Sequence, residues 1–171
     1  MRSTKILTAT AIASLLIGSA AFAGTKEDFA TVSSAKHSLA DAIGAAEKAA
    51  GGKATDAKFE TEHGVSKYEV TVVQNGKRDI LNVDLTTGAA VKGSEKNASS
   101  SKQQDAQTIT AAKTGLAAAI ATAEQQSGGK ALEASLEKEN GNPVYEVKLA
   151  NGDKTQKVNV DASTGKIASA K

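Results

Sequence analysis

The sequence predicts an α+β protein that contains the same small unit twice. Residues 35–91 and 112–168 share, in the same order, Leu-x-x-x-Ile, Gly-Gly-Lys-Ala, Tyr-Glu-Val and Asn-Val-Asp-x-x-Thr-Gly. Of the 39 residues in 35–73, 19 are identical to their counterparts in 112–150 without a gap. A helical pattern opens each copy and strand patterns follow it. We therefore expect two repeats, each with one helix packed on a three- to four-stranded antiparallel sheet.

The helix of each repeat is indicated by apolar residues at spacings of three and four, which share one helical face. In the first copy these residues are Ala35, Leu39, Ala42, Ile43 and Ala46. In the second copy they are Ala112, Leu116, Ala119, Ile120 and Ala123. Good helix formers fill most other positions. A Gly-Gly pair ends each pattern, as is typical of a helix stop: Gly51-Gly52 and Gly128-Gly129.

Three runs with strict alternation follow each helix, and a period of two indicates strands with one buried and one solvated face. The inward residues of the first copy are Ala57, Phe59, Thr61, Tyr68, Val70, Val72, Leu81, Val83 and Leu85. Those of the second copy are Leu132, Ala134, Leu136, Tyr145, Val147, Leu149, Val158, Val160 and Ala162. Short glycine-containing turns join the runs, so we expect an antiparallel meander.

The turns carry specific signals. His63-Gly64 and Asn140-Gly141-Asn142 join the first two strands, and the next hairpins contain Asn75-Gly76 and Asn151-Gly152, the strongest short hairpin signal. Aligning these last two pairs gives the second copy one additional residue.

The third strand runs into an Asp-x-x-Thr-Gly turn at 84–88 and 161–165. Its aspartate can accept hydrogen bonds from amides two or three residues on. A short fourth strand is expected near 89–91 and 166–168.

Residues 1–23 are typical of an export signal. Arg2 and Lys5 precede an uncharged apolar run at 6–18, and Ala21-Phe22-Ala23 is a small-x-small cleavage pattern. The alternative, a retained anchor, is disfavoured because a spanning helix needs about 20 apolar residues. We expect cleavage after Ala23 and a periplasmic or secreted protein that leaves the membrane.

The rest of the chain divides into a first domain at 32–92, a flexible linker at 93–108 and a second domain at 109–171. Residues 93–105 are polar and show no apolar periodicity, which is typical of a linker. The two domains could then bind one target together or separately. Nothing in the sequence points to an oligomer, and we expect a monomer.

Charge excludes some classes of partner. The chain has 21 basic and 19 acidic residues, and loss of Arg2 and Lys5 with the signal balances them. Both signs are interleaved, whereas nucleic-acid binding needs a basic face. The same balance argues against an anionic membrane surface as the main partner. The chain has no cysteine, so no disulfide braces the small domains.

Neither histidine has a counterpart in the other copy. His37 and His63 align with Thr114 and Asn140. Two separate histidines without cysteine make a poor zinc site, and no nucleophile motif accompanies them. We expect both to be surface residues.

Carboxylates recur at Glu60, Glu62 and Glu69 and again at Glu137, Glu139 and Glu146, all on the solvated strand faces. Acid–base catalysis would require burial that separates their pKa values, so we expect cross-strand charge pairs with lysine instead. Asp84 and Asp161 each offer one carboxylate, where calcium prefers 6–8 oxygens.

Gly51-Gly52-Lys53 resembles a phosphate loop only superficially, because such a loop precedes its helix and these glycines follow one. The sequence thus predicts no catalytic residue, no cofactor-binding residue, no metal ligand and no cofactor. What remains is a solvated sheet face and strand edges that can accept an extended peptide.

The order helix, Gly-Gly-Lys, Glu-x-Glu strand, Tyr-Glu-Val and Val-Asp-x-x-Thr-Gly resembles the PepSY domain in both copies. PepSY domains occur in propeptides of thermolysin-like metallopeptidases, and the family has no catalytic residues to transfer. The resemblance implies an α+β unit and a role in restraining peptidases. The chain has no peptidase domain of its own, so the propeptide role in cis does not transfer.

Two hypotheses about function follow. The first is an exported, non-enzymatic PepSY-type binding module that restrains a peptidase or binds another envelope protein. The alternative is an envelope accessory protein that binds a ligand or a metal, as the recurring Asp and Glu positions suggest. An enzyme is the weakest hypothesis, because no nucleophile or cofactor loop occurs in both copies.

Overall fold

The computed structural model describes residues 26–168, so the predicted export signal lies outside the described residues. The first repeat contains α1 (Lys26–Ser34), α2 (Leu39–Ala50), β1 (Lys53–Glu62), β2 (Val65–Gln74), β3 (Lys77–Val83) and β4 (Ala90–Asn97). The second contains α3 (Ser100–Ala111), α4 (Leu116–Ser127), β5 (Lys130–Glu139), β6 (Asn142–Asn151) and β7 (Lys154–Asp161). The predicted α+β repeats, each with a helix and an antiparallel meander, are confirmed.

The two predicted helices, α2 and α4, end where their sequences indicate but begin at Leu39 and Leu116, so Ala35 and Ala112 lie outside them. Ser38 caps α2, since its hydroxyl accepts from the Asp41 amide and its own amide donates to the Asp41 carboxylate at 2.8 Å. Each helix ends at the first glycine of its Gly-Gly pair, with φ of 75° at Gly51 and 70° at Gly128.

The strands of both repeats form one seven-stranded antiparallel sheet in the order β4-β3-β2-β1-β5-β6-β7. The repeats join where Ala57 of β1 lies opposite Ala134 of β5. These two alanines are equivalent residues of the two copies, so a pseudo-twofold axis passes between them. The sequence left open whether the two units dock against each other, and the shared sheet answers that they do.

Both repeats share one hydrophobic core on the face of the sheet that α2 and α4 cover. The two helices pack against each other and against the strands of their own repeats. The largest fully buried side chains come from both copies: Tyr68, Tyr145, Leu39, Ile43, Leu81, Ile120, Leu149, Val70, Val72, Val83, Val147 and Val160. The core therefore crosses the junction between β1 and β5, as the contiguous cluster of buried residues shows.

The predicted flexible linker at 93–108 is wrong, because this segment contains the second half of β4 and most of α3. Ser99 caps α3 by accepting from the Lys102 amide, and the Lys102 ammonium lies 2.9 Å from the Asp56 carboxylate of β1. Near the end of α3, Ile109 is only 5% exposed. The segment has few apolar residues, yet it is held by contacts with the first repeat.

The leading helices α1 and α3 are exchanged between the repeats. Helix α1 packs against β5 and β6 of the second repeat, whereas α3 packs against β1 and β2 of the first. Their buried anchors, Val32 and Ile109, occupy equivalent positions in the two copies. Each repeat thus supplies a helix to its neighbour, which ties the two copies together at points other than the β1–β5 junction.

The additional residue inferred for the second copy is also wrong. Gln74 pairs with Lys77 across the first hairpin, and Asn151 pairs with Lys154 across the other, so both loops have two residues. Asn75 and Gly76 are the central residues of their turn, with φ of 49° and 76°. In the second copy the Asn-Gly pair sits one position earlier, and the copies keep a constant offset of 77 residues, as from Ala57 to Ala134.

Candidate binding surface

The tyrosine of the repeated Tyr-Glu-Val motif fastens the start of its repeat to the sheet. The Tyr68 hydroxyl donates to the carbonyl oxygen of His37 at 3.0 Å, and the Tyr145 hydroxyl donates to that of Thr114 at 2.6 Å. Burial raises the pKa of each phenol to about 12, so both hydroxyls keep their protons at neutral pH. These tyrosines are structural residues.

The Gly-Gly-Lys-Ala motif is structural as well. Glu47 of α2 accepts from the Ala54 amide at 2.9 Å, and Glu124 of α4 accepts from the Ala131 amide at 2.8 Å. The second glycine allows two backbones to approach closely. A Cβ built on Gly52 would lie 2.4 Å from the carbonyl oxygen of Val73. The glycines end a helix and contact a strand, which agrees with rejecting the phosphate-loop interpretation.

The Asp-x-x-Thr-Gly motif forms a turn held by its aspartate. One carboxylate oxygen of Asp84 accepts from the amides of Thr86 and Thr87 at 2.9 and 2.7 Å, and that of Asp161 accepts from Ser163 and Thr164 at the same distances. Within residues 26–168, no group of three or more His, Cys, Asp or Glu residues is arranged to hold a metal ion.

The hydrogen bonds from the Thr87 and Thr164 amides lower the pKa of Asp84 and Asp161, respectively. A carboxyl with a lowered folded pKa stabilises the protein above its unfolded pKa of about 4, and this contribution is lost as the pH falls through the folded value. We expect the double variant D84N/D161N to melt below the parent at pH 7, with the difference narrowing towards pH 3. Thermal melts across this range, with D153N in an exposed turn as control, test this; a constant difference contradicts it.

The two histidines lie in different settings. The ring of His37 packs over the Asp84 turn, where a Cβ built on Gly88 would lie 2.9 Å from the His37 Cε1 atom. Thr114 takes the same place over Gly165 in the second copy. His37 is therefore half-buried rather than a solvated surface residue, whereas His63 is exposed in its hairpin with φ of 51°, as expected.

The recurring glutamates lie on the sheet face that points away from α2 and α4, which we call the open face. Glutamates of both copies have the expected lysine pairs, since Lys58 lies 3.3 Å from Glu69 and Lys157 lies 2.7 Å from Glu146. Glu137 and Glu139 instead accept hydrogen bonds from Ser135 and Asn159. The Lys67–Glu62 pair measures 2.8 Å, and the Lys67 hydrogen bond lowers the pKa of Glu62. The open face therefore carries paired charges suited to contacts with a polar partner.

The continuous sheet gives the open face a property that neither repeat shows alone. At the junction, Lys58 of one repeat lies opposite Glu133 of the other on a single surface. Beside them Asp56, opposite Ser135, pairs with Lys102 of α3. The alternation of polar and apolar residues in β1 and β5 does not indicate that these strands pair, so this continuous surface could not be predicted from the sequence.

The two edges of the sheet differ. On one side the edge strand is β4, whose inner side pairs along the full length of β3, and no described strand pairs with its outer side. On the other side the edge strand is β7. Its outer side is hydrogen-bonded only near its end, where the Ala168 amide donates to the Asn159 carbonyl at 2.7 Å and the Asp161 amide donates to the Lys166 carbonyl at 2.8 Å. Among the described residues, no strand pairs with the outer face of Lys154–Lys157, and these four residues are exposed. We call this segment the β7 edge.

None of the helices in residues 26–168 has the length and apolar character needed to cross a membrane. Two of the surfaces described can contact a partner, the open face and the β7 edge. Their groups are amides, carbonyls and paired charges, which serve binding. The expectation that no residue is catalytic stays a prediction.

Comparison with known proteins supports the family resemblance of both repeats. The PepSY family model, described as "Peptidase propeptide and YPEB domain", matches residues 36–93 and 115–171, about two thirds of the chain. A solved structure from Clostridium difficile 630, of a protein described as a lipoprotein, has a TM-score of 0.50 and 16% sequence identity. That alignment covers 79% of this chain and 92% of the other, and at such identity the likeness concerns the fold alone. No curated protein is significantly similar to the chain.

Proposed function

Because the chain belongs to the PepSY family, we propose that it is an exported, non-enzymatic binding module that restrains a peptidase in the cell envelope. The observation that carries this proposal is the β7 edge, where no strand among residues 26–168 pairs with the outer side of Lys154–Lys157. A peptidase active site binds extended polypeptide, and an extended segment can add to a sheet edge through main-chain hydrogen bonds.

The geometry of β7 identifies the groups that a partner strand would use. In an antiparallel ladder, alternate residues direct both backbone groups to the same neighbour. Asn159 and Asp161 direct theirs outward, to Ala168 and Lys166. Because the β6–β7 register is regular, Thr155 and Lys157 also direct their amides and carbonyls outward. The open face lies beside this edge and supplies charged side chains for contacts with a partner.

Export is supported by the predicted signal at 1–23 and by the description of the Clostridium difficile neighbour as a lipoprotein. N-terminal sequencing of protein recovered from the periplasm or medium should begin at Gly24. A mature protein that retains Met1 and remains in the cytoplasm contradicts export.

Titration against a peptidase co-purified from an envelope extract tests the proposal. We expect the parent protein to lower the rate of that peptidase and T155P to raise the half-inhibiting concentration about tenfold or more, since a proline removes an outward amide. The amides that pair with β6 are untouched, so T155P should keep the parent circular dichroism. T155V keeps the amide and should inhibit like the parent. Absence of inhibition, or equal inhibition by T155P, contradicts the proposal.

A further inference from the structure

A groove lies between α3 and the adjoining ends of β1 and β2. Its volume is about 580 Å³. Small and apolar residues line its interior, among them Gly52, Val73 and Ala106, while Gln103, Gln107 and Lys53 contribute polar groups. We call it the α3 groove. The structural roles of the Tyr-Glu-Val, Gly-Gly-Lys-Ala and Asp-x-x-Thr-Gly motifs do not require an open groove beside α3.

The equivalent helix, α1, shows which side chain suits this position. Val32 of α1 and Ile109 of α3 are equivalent buried anchors. Three residues before each anchor, on the same helical face, stand Phe29 and Ala106. Phe29 packs against the core as part of the helix that meets β5 and β6. Where the first copy of the helix places a phenyl ring, the second places a methyl group.

The strand that α3 packs against also differs between the two repeats. Val73, at the end of β2, stands where the second repeat has Ala150, and its larger side chain lines the groove. The groove nevertheless persists and is larger than one phenyl ring. It has room for an aromatic side chain together with the backbone that carries it.

The charge beside the groove indicates which group would lie next to a bound aromatic side chain. Lys130 pairs with Glu124 at 3.9 Å in the second repeat. Its equivalent, Lys53, is exposed and has no ion-pair partner among residues 26–168. An unpaired ammonium beside an apolar groove favours a ligand that combines an aromatic group with a carboxylate, because such a pair gains both burial and charge complementarity.

We propose that the α3 groove binds an aromatic side chain of a partner polypeptide, with an adjacent acidic residue of the partner contacting Lys53. The inference rests on the proposed function only in taking the partner to be a polypeptide. The β7 edge would hold a partner by its backbone, whereas the α3 groove would select it by side chain. The molecule would then recognise partners that carry an aromatic–acidic pair.

NMR titration of the complete mature chain tests the proposal. The probe is the peptide acetyl-Ala-Asp-Phe-Asp-Ala-amide, with Ala in place of Phe as its control. We expect saturable shifts at the amides of Gly52, Ala106 and Thr110 with the Phe peptide and at least tenfold weaker binding of the control. Equal binding of both peptides, or no saturable shift at these amides, overturns the proposal.

Substitutions distinguish groove binding from adsorption. A106F should place a ring in the α3 groove, as Phe29 does at the equivalent position of α1. It should raise the melting temperature by a few degrees and weaken binding of the Phe peptide at least tenfold. Q104F, on an exposed position of the same helix, should leave binding unchanged. If A106F does not fold, A106L takes its place. Unaltered peptide binding in a folded groove variant overturns the proposal.

The charge contact has a separate test. K53M should weaken binding of the Asp-containing peptide several-fold and leave unchanged the binding of a peptide with Asn at both Asp positions. Equal effects on the binding of both peptides contradict the role of Lys53. A further probe, 3-phenylpropionate, asks whether the site serves small aromatic acids. Binding of this compound as tight as that of the peptide overturns the polypeptide assignment.

The outcomes separate the groove from the peptidase hypothesis. Peptide binding that A106F abolishes, together with no inhibition of any peptidase, keeps the groove and rejects the proposed function. Inhibition that A106F leaves intact, together with no peptide binding, rejects the groove and keeps the proposed function.

Discussion

Replacement of Gly52 by alanine is expected to destabilise the protein by about 2–4 kcal/mol. The added Cβ would lie 2.4 Å from the carbonyl oxygen and 2.8 Å from the carbonyl carbon of Val73. Both are backbone atoms of β2, so the clash can be relieved only by moving β1 away from its neighbour. Urea denaturation followed by far-UV circular dichroism measures the loss.

Two other glycines make this prediction specific. Gly129 is the equivalent residue, with a built Cβ 2.7 Å from the carbonyl oxygen of Ala150, and G129A should also be strongly destabilised. Gly44, inside α2, has no atom within 4 Å of a built Cβ and aligns with Ala121. G44A should stabilise the protein by about 0.5–1 kcal/mol. If G52A is as stable as the parent, the close approach of β1 and β2 is not required.

Replacement of Ala57 by glutamate is expected to cost about 3–5 kcal/mol, a large part of the stability of a domain of this size. Ala57 is 2% exposed, lies opposite Ala134 at the pseudo-twofold axis and belongs to the core beneath the helices. A carboxylate there would be buried without a partner. Because the core crosses the junction, both repeats should lose stability together.

The matched control for A57E is K58Q, one residue along the same strand. Lys58 points to the open face, and its side chain is 45% exposed while it pairs with Glu60 and Glu69. Loss of such pairs should cost no more than about 1 kcal/mol. If A57E melts like K58Q, or if only the first repeat is affected, the junction is not part of a shared core.

Local patterns predicted what local chemistry determines. The helix stops, the strand faces and the Asp-to-Gly turns each depend on residues close in sequence, and all are present except at Thr61, which is exposed at the hairpin end of β1. The Asn-Gly signal located the first hairpin turn correctly at Asn75 and Gly76. In the second hairpin it placed the turn one residue too early. There the turn is set by the strand register, in which Asn151 pairs with Lys154, rather than by the dipeptide.

The candidate surfaces depended on contacts that alternation cannot show. Helix α3 has a single buried side chain, Ile109, because it needs only one anchor on a surface made by the other repeat. The β1–β5 pairing joins two alanines whose patterns suit any strand neighbour. Without that pairing, the shared open face could not be placed. The Phe29–Ala106 difference was visible in the sequence, but only the constant offset of the repeats makes those positions equivalent.

The most direct test of the central claim, that both repeats form one cooperative body, is urea unfolding of Y68F and Y145F. The chain has two tyrosines and no tryptophan, so each variant retains one fluorescent reporter, in the second or the first repeat, respectively. We expect the tyrosine fluorescence and far-UV circular dichroism of each variant to give a single, coincident transition. Two transitions, or a fluorescence midpoint that differs from the circular dichroism midpoint, would contradict the shared core and show that the repeats fold separately.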